Sequence, residues 1–213
     1  MSTATLDPPR VAPSPPSGDL PPLPKTIGPE HNGLAMSGRE WDAHEDWAEG
    51  YTYELVEGTL IVCPAPSAGE RKPNGKLEQL IANYIDAHPD GPVKETLAEQ
   101  YIVVGPNRRR RCDRAIWLGE VPENPDETAP DIAIEIVSGS RRDRERDYVV
   151  KRGEYAAAGV KEYWVFDRFA RTVTAFRGGG ETRFGEDAAV TSPLMPGFSL
   201  PVAEILKAAD RYA

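Results

Sequence analysis

Apolar positions recur with a helical period late in residues 70–87. Leu77, Leu80, Ile81, Tyr84 and Ile85 follow the i, i+3, i+4, i+7, i+8 pattern and predict an amphipathic helix. Elsewhere the pattern switches to short apolar runs bounded by Gly, Pro, Asp and Asn, which read as strands and turns. Tyr53-Glu-Leu-Val56 and Thr59-Leu-Ile-Val62 flank Glu57-Gly58 and predict a hairpin ended by Pro64-Ala-Pro66. Further strands are predicted over 93–97, 100–104, 113–118, 131–137, 160–167 and 171–177, with another near Thr182 and a Pro196-Gly197 turn beyond it. The basic run at 108–111 reads as a loop. Ser37-Gly-Arg-Glu40 has capping-box spacing and opens a helix to about Ala48. A helix over about 144–158 ends where Gly159 suits a left-handed C-terminal cap, and a last helix covers about 202–212. This order predicts an α/β (α+β) fold with one mixed sheet flanked by helices.

Composition narrows the class. Residues 1–34 carry Asp7-Pro-Pro, Ser14-Pro-Pro and Leu20-Pro-Pro-Leu-Pro24. Such a segment cannot bury enough apolar surface to offset its ordering entropy. It is expected to be a disordered tail, with a Pro-rich docking ligand as the alternative, ahead of one domain over 35–213. No apolar run approaches the ~20 residues of a membrane span, and no apolar core follows Met1, so no membrane partner and a cytoplasmic location are expected. Cys63 and Cys112 do not make a disulfide framework, and His31, His44 and His88 lack zinc spacing. A metal here would take oxygen ligands, as Mg²⁺ or Mn²⁺ does. The formal net charge of −9 argues against a protein that coats nucleic acid non-specifically. Two local basic strips remain: Arg108-Arg-Arg-Arg111, and the arginines at 141, 142, 144 and 146. They read either as phosphate-backbone contacts, through Arg109, Arg110, Arg111 and Arg142, or as solvated surface.

The chemistry gathers on three residues. In Asp131-Ile-Ala-Ile-Glu-Ile-Val137, alternation puts Ile132, Ile134 and Ile136 on one strand face and Glu135 on the other. A carboxylate set among isoleucines is costly without a cation, a metal or a set of hydrogen bonds. Asp131 reads as a cap. Asp113 stands at the mouth of the preceding strand, where a salt bridge to the arginines beside it is the plain alternative. Lys151 follows on the next helix, where an i, i+4 pair with Asp147 is the plain alternative. Tyr155, Tyr163 and Trp164 read as core or rim. Together, two acids, the main-chain carbonyl of Ile136 and a lysine form the parts list of a metal-dependent phosphodiesterase. The competing reading is a structural ion-pair network.

Several segments resemble one family. Tyr53-Glu-Leu-Val-Glu-Gly58 with Pro64-Ala-Pro66 resembles its opening hairpin, and Ala129-Pro-Asp-Ile-Ala-Ile-Glu-Ile-Val-Ser138 its central strand. Lys151-Arg-Gly-Glu-Tyr-Ala-Ala-Ala-Gly-Val-Lys-Glu-Tyr-Trp-Val-Phe-Asp167 resembles its most recognisable segment, and Ser192-Pro-Leu-Met-Pro-Gly-Phe198 its closing turn. The family is the Uma-two group of endonucleases, within the PD-(D/E)XK, restriction-endonuclease-like superfamily. The resemblance spans about residues 36–210. It implies a restriction-endonuclease-like core and a Mg²⁺-dependent site acting on DNA. Asp113 then matches the first acid, Glu135 the second, and Lys151 the group's lysine, since Val137 occupies the superfamily's usual lysine position. Glu54 matches a family glutamate. Cys112 and Gly139 depart from positions where proline is usual, and Arg71 or a neighbour from one where histidine is often seen. The alternative function is an inactive domain of the same fold that binds nucleic acid or a protein. A homodimer paired through an edge strand at 171–177 would place two sites for two-strand cleavage.

Overall fold

The computed structural model describes residues 22–137 and 144–210. Two sheets and a ribbon make up its β-structure. The first sheet is antiparallel, in the order β2-β1-β5-β4, with β1 Tyr51–Val56, β2 Thr59–Pro64, β4 Tyr101–Gly105 and β5 Arg108–Arg111. The second has six strands in the order β10-β9-β8-β7-β6-β3. Its strands are β3 Val93–Ala98, β6 Arg114–Leu118, β7 Ile132–Ile136, β8 Glu162–Asp167, β9 Thr172–Arg177 and β10 Gly180–Gly185. Only β7 and β8 pair in parallel. A parallel pair needs a crossover, and the helical segment between them supplies it. β11 Ala189–Ser192 and β12 Met195–Pro201 form the ribbon, with Gly197 at φ +81 inside β12 rather than in a separate turn. The single predicted mixed sheet is therefore joined by a separate four-stranded sheet that carries the hairpin.

The predicted helices form, with shifted ends. α1 spans Gly38–Ala43, capped by Ser37 and Glu40 as the sequence predicts, and stops short of Ala48. α2 spans Ala68–Ala87 and buries Leu77, Ile81 and Tyr84. α3 spans Lys151–Ala157 after a π-helical turn at Arg146–Val150, and Gly159 closes it at φ +96. α4 spans Val202–Asp210.

The centre of the mixed sheet, β7 and β8, is buried on both faces. Ile132, Ile134 and Ile136 pack with Trp164 and Phe166 against α2 and α4. Ala133, Val137, Tyr163 and Val165 pack with Tyr155 of α3 on the opposite face. Glu135 therefore lies on a second apolar face, not on a polar one. A third cluster, with Ile27, Met36, Trp41, Tyr53, Leu55 and Leu60, lies against the hairpin sheet. Ile27 is fully buried and Leu23 packs on the same cluster, so folded structure reaches back into the 1–34 segment expected to be a tail. The strand at 171–177 is interior, between β8 and β10, so it cannot serve as the pairing edge expected of it. Among the described residues, no helix is long and apolar enough to cross a membrane.

Candidate active site

The C-terminal end of β7 positions the site. Just before β6, Asp113 accepts the main-chain N–H of Ile136 on Oδ2 at 2.6 Å. This bond ties the first acid to the strand that carries the second. Asn74 of α2 adds another tie: its Nδ2 donates to the Asp113 carbonyl at 2.7 Å, and its Oδ1 accepts from Arg114 Nε at 2.8 Å. The plain alternative for Asp113, a salt bridge to the neighbouring arginines, does not form among the described residues. The arginine side chains pair elsewhere.

Glu135 is buried, and its Oε1 accepts from Lys151 Nζ and from the Tyr155 hydroxyl, both at 2.8 Å. Lys151 Nζ also donates to the Arg111 carbonyl at 2.7 Å and lies 3.0 Å from Glu54 Oε1. These three acceptors match the three protons of the ammonium. The plain alternative for Lys151, an i, i+4 salt bridge to Asp147, does not form among the described residues. Asp147 pairs with Arg146 Nε at 3.0 Å, within a π-helical turn. Glu54 comes from β1, where Arg110 Nη1 and the Arg111 N–H also bind it, at 3.0 and 3.1 Å.

Asp113, Glu135, Ile136, Lys151 and Glu54 all line one cavity of about 380 Å³, shared with Arg111, Arg146, Asp147 and Glu70. Burial dominates its electrostatics. It pushes Asp113 up to about 6, against the Ile136 N–H and the charge of Lys151. It raises Glu135 as well, where Lys151 opposes it and Asp113 and Asp147 reinforce it. Burial also disfavours the charge on Glu54, but Lys151, Arg110 and the Arg111 N–H overcome it and hold Glu54 at about 2. For Lys151, burial disfavours the ammonium, yet Glu135, Glu54 and Asp147 raise its pKa above the ordinary lysine value. The cavity thus holds a firmly charged lysine, a charged Glu54, and two carboxyls, Asp113 and Glu135, whose burial favours their protonated forms. An added cation would favour their charged forms.

The basic strip is corrected by the fold. Arg108–Arg111 is strand β5, not a loop. Arg109 is buried and bonded to Asp42 at 2.7 and 3.0 Å. Arg110 is buried between Glu54 and Glu154, at 3.0 and 2.6 Å. Arg111 is half-buried and pairs with Glu99. Desolvated and neutralised, Arg109 and Arg110 do not present an open surface to a phosphate backbone. Arg142 lies outside the described residues. Asp131, just before β7, accepts the Leu118 N–H at 2.7 Å and so ties β7 to the end of β6.

Sequence reasoning left Tyr155, Asp147, Arg146 and Asn74 out of the site. Tyr155 had a legible signal, since it lies one helical turn beyond Lys151 on the same face. Asn74, 39 residues before Asp113, had none. Among the described residues, no three His, Cys, Asp or Glu side chains form a group that could hold a metal ion.

A family model described as "Putative restriction endonuclease", Uma2, matches residues 41–203. A comparison with curated proteins gives no match. Among solved structures, the chain resembles one from Anabaena variabilis ATCC 29413, titled as a "putative nuclease belonging to DUF820". The TM-score is 0.64 at 20% identity, covering 82% of this chain and 99% of that one. At that identity the likeness speaks for the fold alone, a mixed α/β core.

Proposed function

The chain belongs to the Uma2 family, and from that premise we propose that it is a metal-dependent endonuclease hydrolysing phosphodiester bonds of DNA. One observation carries the reading: Asp113, Glu135 and Lys151, from three separate segments, line the same cavity. Asp113 and Glu135, with the carbonyl of Ile136, are the residues that would hold Mg²⁺ or Mn²⁺. The donor set fits a hard cation, because all its donors are oxygens. Asp113 Oδ1 and Glu135 Oε2 receive no hydrogen bond from the described residues, while their sister oxygens do. Magnesium keeps several waters and commonly takes only one or two carboxylates, so a three-carboxylate cage is not required. When bound, such an ion supplies Lewis acidity at a phosphoryl oxygen and a more acidic water.

The remaining work falls to the chain itself. Lys151 stays protonated and fully hydrogen-bonded, which suits it to orient Glu135 and offset phosphate charge rather than to remove a proton from water. Tyr155 fixes the same carboxylate from the other side. Glu54 holds Lys151 in place, and Arg146 on the cavity wall places a guanidinium near an incoming phosphate.

A second reading, an inactive module that binds nucleic acid or protein, is favoured by the complete engagement of Lys151. Calorimetry separates the two. The nuclease reading expects Mg²⁺ or Mn²⁺ to bind the wild-type chain and to lose affinity at least tenfold on Asp113→Asn. An absence of divalent-ion binding, together with no DNA cleavage, supports the inactive module.

A further inference from the structure

Strand β1 has two faces, and only one serves the carboxylate cavity. Glu54 points into it, while Tyr51 and Tyr53 point the other way. On that far side lies a second cleft of about 790 Å³. Its walls are aromatic: Trp41 and Trp47 stand 4.6 Å apart between ring centroids, Trp41 meets Tyr101 at 5.6 Å, and Trp47 meets Tyr53 at 4.7 Å. Its rim is acidic, with Asp42, Asp126 and Glu127. The one guanidinium lining it, that of Arg109, is already spent on Asp42. An aromatic trough of negative charge repels phosphate and suits an apolar ligand that carries a positive charge.

The chain contains such a ligand. Arg10-Val-Ala-Pro13-Ser-Pro-Pro16 repeats Arg10, Pro13 and Pro16 at intervals of three. In a polyproline II helix, with three residues per turn, these side chains fall on one edge. Pro-rich segments in that conformation dock in aromatic-lined grooves. Reach is sufficient. The described structure starts at residue 22, and Leu23 packs on the cluster that contains Trp41 and Tyr53. The five residues 17–21 join the two, and an extended chain from 16 to 22 covers on the order of 20 Å. Tethering also raises the local concentration of the segment to roughly the millimolar range, so modest intrinsic affinity suffices. We propose that residues 10–16 dock in this aromatic cleft of the same chain, with Pro13 and Pro16 against the tryptophan and tyrosine rings and Arg10 toward Asp126 and Glu127.

The test uses the full-length chain and its four tryptophan indole N–H signals, assigned by Trp→Phe variants. Trp41 and Trp47 line the cleft, while Trp117 and Trp164 are buried in the other two clusters. Pro13→Ala with Pro16→Ala, and separately Arg10→Glu, substitute none of the described residues. Both variants are expected to shift the Trp41 and Trp47 signals and leave those of Trp117 and Trp164 in place, equally at high and low protein concentration. Adding Glu127→Arg to Arg10→Glu should bring the wild-type positions back. Unmoved Trp41 and Trp47 signals in the proline variant would overturn the proposal. So would a shift that fades on dilution of the wild type, which would place a second copy's segment in the cleft.

Discussion

Lys151 donates to Glu135 at 2.8 Å, and both groups are almost wholly removed from water. Neither charge is tolerable there alone. Breaking a buried pair by removing one partner costs about 3–5 kcal/mol, because the other charge stays buried. Lys151→Met should therefore lower unfolding free energy by roughly that amount in urea titrations. The double variant Lys151→Met, Glu135→Gln should recover part of the loss, since the stranded charge goes with it. A loss that is fully additive in the double variant would show that the pair is not coupled.

The arginines of β5 act on stability before they act on any ligand. Arg110 bridges Glu54 and Glu154 from within the sheet. Arg110→Met should destabilise by about 3 kcal/mol or more, by the same buried-pair argument. For whatever remains folded, the salt dependence of DNA binding should be unchanged, because no phosphate contact has been removed. A shallower salt slope at intact stability would return Arg110 to the nucleic-acid surface.

Two carboxylates of the cavity give opposite pH trends. Glu54 is held at about 2 in the folded chain, below its ordinary value of 4.5. Its contribution is present above pH 4.5 and is lost as pH falls toward 2, on the order of 3 kcal/mol at 1.36 kcal/mol per pH unit. Asp113 is raised to about 6 from 3.8. Between those values the folded chain keeps a proton that the unfolded chain has released, so stability falls as pH rises across that window. Denaturant titrations from pH 2 to 7 in chelator should show Glu54→Gln flattening the acid limb and Asp113→Asn flattening the fall between about pH 4 and 6. If Asp113→Asn steepened that fall, the assigned direction would be wrong.

Much of this was legible in the chain. The i, i+3, i+4 apolar pattern marked α2 because Leu77, Ile81 and Tyr84 do face the core. The isoleucines of β7 alternate with Ala133 and Glu135, and Gly159 takes the left-handed conformation its position required. What failed to show was contact at long range. Four consecutive arginines do not look like a strand. In the folded chain Asp42, Glu54, Glu57, Glu99 and Glu154, from 12 to 67 residues away, pair with them. The second apolar face of the mixed sheet was hidden because Glu135 interrupts it. The π-helical turn before Lys151 has no local signature, and Lys151 bonds to Glu135 rather than to Asp147. Asp113 had an arginine neighbour to explain it and bonds instead to Ile136 across the strand ends.

Under the proposed function, Asp113 and Glu135 hold a divalent ion for phosphodiester hydrolysis. The most direct measurement is nicking of supercoiled DNA over a Mg²⁺ titration, by the wild-type chain and by Glu135→Gln, with thermal melts showing that both are folded. Glu135→Gln keeps the side chain's shape and its hydrogen-bonding oxygen while removing the charge. Wild type is expected to show Mg²⁺-dependent cleavage and the variant a loss of about 100-fold or more, the scale of one catalytic electrostatic contact. Equal cleavage by the two folded proteins would contradict the proposed function.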